Sequence, residues 1–248
     1  MANKFIFNLL LFSFLFYSNF IFTQVKNEKV SIGLGLGLIS TSKIFPNPNS
    51  SNIIERNRAF ELENILSPNL ELRYHFNEEV SVGLSTEYAS TMKTGNYVIA
   101  LAGNQIVELK SEDGFDFLPI ELSIYQTLPF STNQFSFLIG GGLGYYKAWH
   151  KRNFGDTKIS TLESTGVFGI QVSASVEYSL YDNLNFYFLT KYRAPEIKVK
   201  SKYDKPTINY QGRVITIIED TFNSKISVNG VVLILGLKYN FDFGSNMN

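Results

Sequence analysis

The chain has 248 residues, enough for one large domain or two small ones, with 22 basic and 22 acidic side chains and a formal net charge of zero. That balance leaves no electrostatic footprint for a nucleic-acid partner, which shows as a basic excess or stripe. Cysteine is absent, which excludes disulfides, thiolate metal sites, cysteine nucleophiles and a cysteine-anchored lipid.

Lys4 precedes an uncharged run over residues 5–25, FIFNLLLFSFLFYSNFIFTQV, before Lys26 and Glu28. A short basic head and an apolar centre predict a Sec-type signal peptide over residues 1–24, leaving 25–248 as the mature protein. The cleavage site lacks an A-x-A pattern, and cleavage is placed after Gln24. A membrane-anchoring helix is the competing reading, because a run of this length can span a bilayer. Asn8, Ser13, Ser18 and Asn19 interrupt it, however, and an alternating glycine-rich segment begins within a few residues of its end.

From Lys29 onward the hydropathy period is two, not 3.6. In residues 30–38, Val30, Ile32, Leu34, Leu36 and Leu38 alternate with Ser31, Gly33, Gly35 and Gly37. The pattern returns in 66–76, 80–88, 118–128, 135–145, 166–180, 184–192 and 231–243. Eight segments of this length suit tilted strands that cross a bilayer. The connections 77–79, 129–134 and 181–183 are short and carry the Asn, Asp and Pro of tight turns. The connections 39–65, 89–117, 146–165 and 193–230 are long, and the last three are expected to include strand extensions. Short turns on one side and long loops on the other predict an all-β, eight-stranded, antiparallel up-and-down transmembrane barrel. Its short turns face the periplasm and its four long loops the exterior.

Charge segregates by face. The apolar faces carry no Asp, Glu, Lys or Arg; the opposite faces carry Glu71, Arg73, Glu87, Glu121, Glu177, Lys191, Arg193 and Lys238. A basic side chain facing lipid at the midplane costs about 2–4 kcal/mol. The charged set is therefore read as a lumen network in which acids and bases satisfy one another. A soluble barrel would instead turn its apolar face inward and its charge outward. Outward aromatics fall near the strand ends, Tyr74, Phe76, Phe135, Tyr178, Tyr239 and Phe241 at the turn side and Tyr88, Tyr145 and Tyr192 at the loop side, as two interfacial belts require.

The glycine runs at 33–37 and 140–144 invite a nucleotide-loop reading, but Lys147 stands where G-x-G-x-x-G needs its third glycine, and no Walker motif occurs. They are strand glycines that spare a crowded lumen or let a strand bend. His150 is followed by Asp156, Ser160 and Ser164 in one expected outer loop, where it is read as a solvated histidine and not a catalytic base. His75 is read as a lumen hydrogen-bonding partner. No metal, cofactor or catalytic site is assigned.

Near the carboxyl terminus, Gly236, Tyr239, Phe241 and Phe243 resemble the terminal-strand assembly signal of outer-membrane barrels, although the chain runs on over 244–248. With the eight segments and the loop asymmetry, the mature chain resembles the OmpA/OmpX-like outer-membrane β-barrel family. The resemblance implies an outer-membrane location, lipid contacts and recognition by the barrel-assembly machinery. Fold alone does not choose among anchor, adhesin, channel and enzyme. The expected function is non-enzymatic, structural or surface-interacting, through long outer loops that meet an unknown extracellular ligand or protein; the alternatives are a lipid-modifying enzyme and a narrow small-solute pore. The 208–218 stretch alternates weakly and is expected to extend the wall as a hairpin with an exposed edge.

Overall fold

The computed structural model describes residues 28–242, so the expected signal peptide and the last aromatic of the terminal motif, Phe243, lie outside the described residues. Among the described residues, fourteen strands form one antiparallel sheet: β1 (Glu28–Phe45), β2 (Phe60–His75), β3 (Val80–Glu87), β4 (Ala89–Ala102), β5 (Gln105–Thr127), β6 (Phe135–Phe154) and β7 (Thr157–Ser164), then β8 (Val167–Tyr181), β9 (Leu184–Arg193), β10 (Glu196–Tyr203), β11 (Thr207–Tyr210), β12 (Arg213–Ile217), β13 (Thr221–Ser227) and β14 (Gly230–Asp242). A single helical turn, α1 (Ile53–Asn57), starts where the Asn52 side chain accepts from the Ile54 amide at 2.9 Å.

The all-β, antiparallel expectation is borne out, but the strand count differs from the eight expected. The extra strands come from the long connections, which are largely paired wall. Residues 89–117 lie mostly in β4 and β5, 146–165 in β6 and β7, and 196–227 in β10 to β13. The apolar-outward pattern gives out there because the alternation inverts: in β10 Ile197, Val199 and Tyr203 are buried while Glu196, Lys198 and Lys202 are exposed. Around the short-turn end the ladders run in a closed cycle, β1–β2–β3–β5–β6–β8–β9–β14–β1. Closure matters physically, because it leaves no unpaired edge along that part of the wall.

Local chemistry sets the ends. Asn77 Oδ1 accepts from the amides of Glu79 (2.9 Å) and Val80 (2.6 Å), which closes the β2–β3 turn. The Thr132 and Ser131 hydroxyls accept from the amides of Phe135 and Phe137, each at 3.0 Å, between β5 and β6. The β2–β3 ladder stops at Asn69↔Glu87, one residue from Pro68, whose carbonyl takes a last bond from the Tyr88 amide. Proline has no N–H to continue the ladder on that side.

Alternation then decides the two faces. Leu34 is 63% exposed, Phe168 82% and Ile170 74%, and Leu36, Leu70, Leu84, Leu122, Ile124, Leu143 and Leu235 share that outer surface. The inner face holds Ser31, Ser67, Ser81, Ser85, Ser123 and the charged set, all buried. The apolar core sits toward the long-connection end, around Ile39, Phe115, Phe117, Tyr146, Ile197 and Ile226. Beyond it a second cluster joins Val98, Ala100, Phe154 and Tyr203 to Ile208, Ile215 and Ile217 of the β11–β12 hairpin. That hairpin pairs with β4 through Thr216↔Leu101 and Ile217↔Ala100, and β11 pairs with β12.

Candidate functional site

Three polar clusters are stacked inside the barrel. Nearest the short turns, Arg73 on β2 donates through Nη1 to Glu177 Oε1 at 2.7 Å and through Nη2 to Glu71 Oε2 at 2.8 Å. Lys238 on β14 also bonds Glu177, the Tyr125 hydroxyl donates to Glu71 at 2.7 Å, and the Arg73 guanidinium lies 4.0 Å from the Tyr125 ring centre. The middle cluster joins Glu121 on β5 to Lys191 and Arg193 on β9, the Arg193 contact at 3.1 Å. Arg193 also pairs with Glu87, which accepts from Ser67, and the Tyr146 hydroxyl donates to Glu121 at 3.1 Å.

The eight charged residues expected in the lumen are thus divided between two groups, each with two acids and two bases. Their positions follow from strand register: Glu71 and Arg73 are two apart on β2, and Lys191 and Arg193 two apart on β9, so each pair shares the inner face. Local neutrality is what permits such charges to be buried, because an uncompensated one is strongly destabilising. His75, below them, meets the Ser31 hydroxyl at 3.2 Å.

The third cluster, near the outer end, corrects the solvated-loop reading of His150. His150 lies in β6 and is buried, with Nε2 2.7 Å from Asp113 Oδ1 and Nδ1 3.0 Å from Ser224 Oγ. Asp113 also accepts from Arg152 Nε at 2.8 Å and from the Ser111 hydroxyl at 2.7 Å; Arg152 Nη1 donates to the Tyr203 hydroxyl at 2.9 Å. Burial alone would raise the Asp113 pKa, but the Arg152 guanidinium and the bonds from His150 and Ser111 outweigh it and hold the carboxyl well below its usual range. Burial lowers the His150 pKa, and the bond to Asp113 offsets only part of that. Neutral His150 then carries its proton on Nε2 for Asp113 and accepts from the Ser224 hydroxyl at Nδ1.

Asp156, Ser160 and Ser164 are engaged elsewhere. Asp156 bonds Lys205 at 3.0 Å and the Asn209 amide at 2.9 Å, Ser160 bonds Asp204, and Ser164 donates to the Ala148 carbonyl at 2.6 Å. The sequence did carry a signal for the true set. Alternation continues past Tyr145, with Tyr146, Ala148, His150, Arg152 and Phe154 buried and Lys147, Trp149, Lys151 and Asn153 partly exposed. Ser111 and Asp113 continue the inner face of β5 in the same way. Ser224, far along the chain, had no local signal.

At the outer end, a cavity of about 580 Å³ lies between the β1–β2 connection, β4 and β12, with Asn96, Arg152, Tyr203 and Phe222 in its wall. Among the described residues no three His, Asp or Glu side chains are grouped to hold a metal ion.

A closed antiparallel barrel with an apolar outside and charge-paired inside is the architecture of small outer-membrane β-barrel proteins. The structure is similar to the outer membrane protein OprG from Pseudomonas aeruginosa, with TM-score 0.59 and 16% identity over 88% of this chain and 97% of that one. Ail, the attachment invasion locus protein of Yersinia pestis, gives TM-score 0.45 and 15% identity over 86% of this chain and 99% of that one. Neisserial surface protein A gives 0.46 and 13%, over 86% and 97%. The likeness to OprG bears out the all-β outer-membrane barrel expected from the OmpA/OmpX-like resemblance, though not its count of eight strands. No protein-family model matches the sequence, and no curated protein matches it.

Proposed function

We propose that the chain is a non-enzymatic integral outer-membrane barrel whose outer end makes its contacts. In this reading the signal peptide at 1–24 directs export. The strands group into eight long crossings: β1, β2, β3 with β4, β5, β6, β7 with β8, β9 with β10, and β13 with β14. β11 and β12 are a hairpin added at the outer rim. Gly236, Tyr239 and Phe241 on the last crossing serve recognition by the assembly machinery.

One observation carries the reading. Large apolar side chains such as Leu34, Leu36, Leu122 and Phe168 face outward while Arg73, Lys191, Arg193 and Lys238 are buried. Water would reverse that arrangement, and lipid favours it. Aromatic pairs at the short-turn rim, Tyr74–Phe76, Phe135–Tyr178 and Tyr239–Phe241, suit a headgroup belt. The test is gel mobility of the detergent-extracted protein with and without boiling, alongside membrane fractionation. A folded, faster-migrating form in the outer-membrane fraction is expected; a protein soluble without detergent would refute the proposal.

The Asp113–His150–Ser224 series favours a second, enzymatic reading, since a serine bonded to a histidine that is oriented by a carboxylate is a nucleophile arrangement. Ser224 is buried, however, and its hydroxyl already faces the His150 ring and the Val199 carbonyl. A nucleophile needs room for substrate at its oxygen. The series is better read as the polar brace of the outer wall.

A further inference from the structure

The outer cavity has an unusual interior. Arg152 uses Nε on Asp113 and Nη1 on Tyr203, while its Nη2 is buried without a hydrogen-bond partner. The side chain is 5% exposed, and its guanidinium carbon lies 4.7 Å from the Phe222 ring centre. Asn96 borders the same cavity; its Oδ1 accepts from the Tyr97 amide at 2.9 Å, which fixes the amide orientation, and its Nδ2 is buried and unbonded. Buried donors are ordinarily paired, and an unpaired one costs stability. Two orphan donors bordering one cavity have a common chemical complement, an oxygen group that only accepts.

The wall also restricts what carries that group. Val98, Ile217 and Phe222 give it apolar surface, and Glu55, Glu108 and Glu219 stand around it with Arg58. Those carboxylates disfavour a multiply charged anion. The volume falls in the range of small-molecule sites. Asn96 follows a register shift between Thr94 and Asn96 where Gly95 has φ of 140°. A bulge of this kind re-aims a side chain; both nitrogens are sealed from water, so the wall must yield for a ligand oxygen to reach them.

We propose that this cavity binds the carboxylate of a small organic acid, with Arg152 Nη2 and Asn96 Nδ2 as donors and the apolar wall holding the acid's body. The proposal rests on the reading that the long-connection end stands outside the bilayer. Arg152 is anchored on two sides, so its guanidinium keeps its orientation while the wall yields, and the ordering cost of binding falls on the wall. The Asp113 carboxylate already neutralises much of the arginine charge, so binding depends on hydrogen-bond geometry more than on net attraction.

The test uses the full-length mature protein in a maltoside detergent, checked for folding by heat-modifiable mobility, with ligand-observed NMR against protein-free micelles. The probes are hexanoate, hexanol and inorganic phosphate. Saturable hexanoate binding at least about tenfold tighter than either other probe is expected, as is about a tenfold loss in Asn96→Leu and in Arg152→Lys. Hexanol binding as well as hexanoate would reduce the site to an apolar groove and overturn the proposal. Phosphate binding as well would reassign it to phosphate or a lipid headgroup. No hexanoate binding to the folded wild type would also end it. Comparison among probes on the wild type stands even if a variant fails to fold. A chain that lacks the heat-modifiable form would instead fail the barrel reading, a separate outcome.

Discussion

Glu121 takes bonds from Lys191, Arg193 and Tyr146 together, all inside the barrel, so its charge is the acceptor on which the middle cluster turns. Glu121→Gln keeps the shape and removes the charge. It is expected to destabilise the protein by up to about 3–5 kcal/mol, read as a lower urea midpoint in detergent, because Lys191 and Arg193 are left in part unpaired. Lys43→Ala, at the exposed Lys43–Glu61 pair, is the near-neutral control. A midpoint for Glu121→Gln equal to that control would show a lumen wet enough to screen the network. His150 gives a residue-scale pH prediction. Its folded pKa lies below that of the unfolded chain, about 6.5, so below that pH the unfolded state binds more protons. Stability contributed by neutral His150 is therefore present above about pH 6.5 and is lost as pH falls through the folded value. Asp113, also shifted down, stays ionised until far more acid conditions. Protection of the β6 and β13 amides near His150 and Ser224 against hydrogen exchange, relative to the intrinsic rate at each pH, should fall between pH 7.5 and 5, and His150→Gln should remove that change. An NMR titration placing the His150 pKa at or above 6.5 would contradict it.

Within an element, neighbouring residues face different solvents, and substitutions one position apart separate the two. Leu122 is 54% exposed on the outer side of β5. Leu122→Arg should cost about 2–4 kcal/mol if that surface meets the bilayer midplane, whereas Asn133→Arg, in the exposed β5–β6 turn, should be near neutral. Equal tolerance in denaturant titrations would argue against a lipid-facing wall. The glycine run on β6 divides in the same manner. A Cβ on Gly142 would stand 1.9 Å from the Leu122 carbonyl oxygen, and one on Gly141 would meet nothing nearer than 3.5 Å. Gly142→Ala should lose about 1–3 kcal/mol through overpacking and Gly141→Ala little. The same denaturant titrations read both. Gly142 allows close approach of backbone to backbone, whereas Gly140 and Gly144 make room for the Tyr125 and Tyr146 side chains.

At the scale of the molecule, the two lumen clusters and the apolar core above them fill the interior, as is usual in a barrel of this width. Planar-bilayer recording of the purified protein should show no steady conductance. A stable ohmic channel in the wild type would replace the plugged-barrel reading with the pore. A fluorophosphonate probe should likewise leave Ser224 unlabelled in the folded protein; labelling abolished by His150→Ala would favour the enzyme.

The sequence by itself determined the faces of the wall. Period-two alternation fixes which side chains share a side, and the confinement of charge to one side identifies the other as the side away from water. It also placed Glu71, Arg73, Glu87, Glu121, Glu177, Lys191, Arg193 and Lys238 together on the inner face, since a shared face needs only register. Partners within that face were beyond it. Arg73 with Glu177 and Lys191 with Glu121 join residues far apart in the chain, and only the closure of the sheet brings β2 opposite β8 and β5 opposite β9. The outer wall was obscured for another reason: its alternation inverts, with Ile197, Val199 and Tyr203 of β10 inside and Glu196, Lys198 and Lys202 outside, so the apolar-outward pattern that marks a strand in lipid is lost there. Asp113, His150, Arg152 and Ser224 converge because β5, β6 and β13 run on past the apolar band. Tertiary structure alone decided that this end is a braced, cavity-bearing wall, because burial of polar groups there depends on the strands meeting across the lumen.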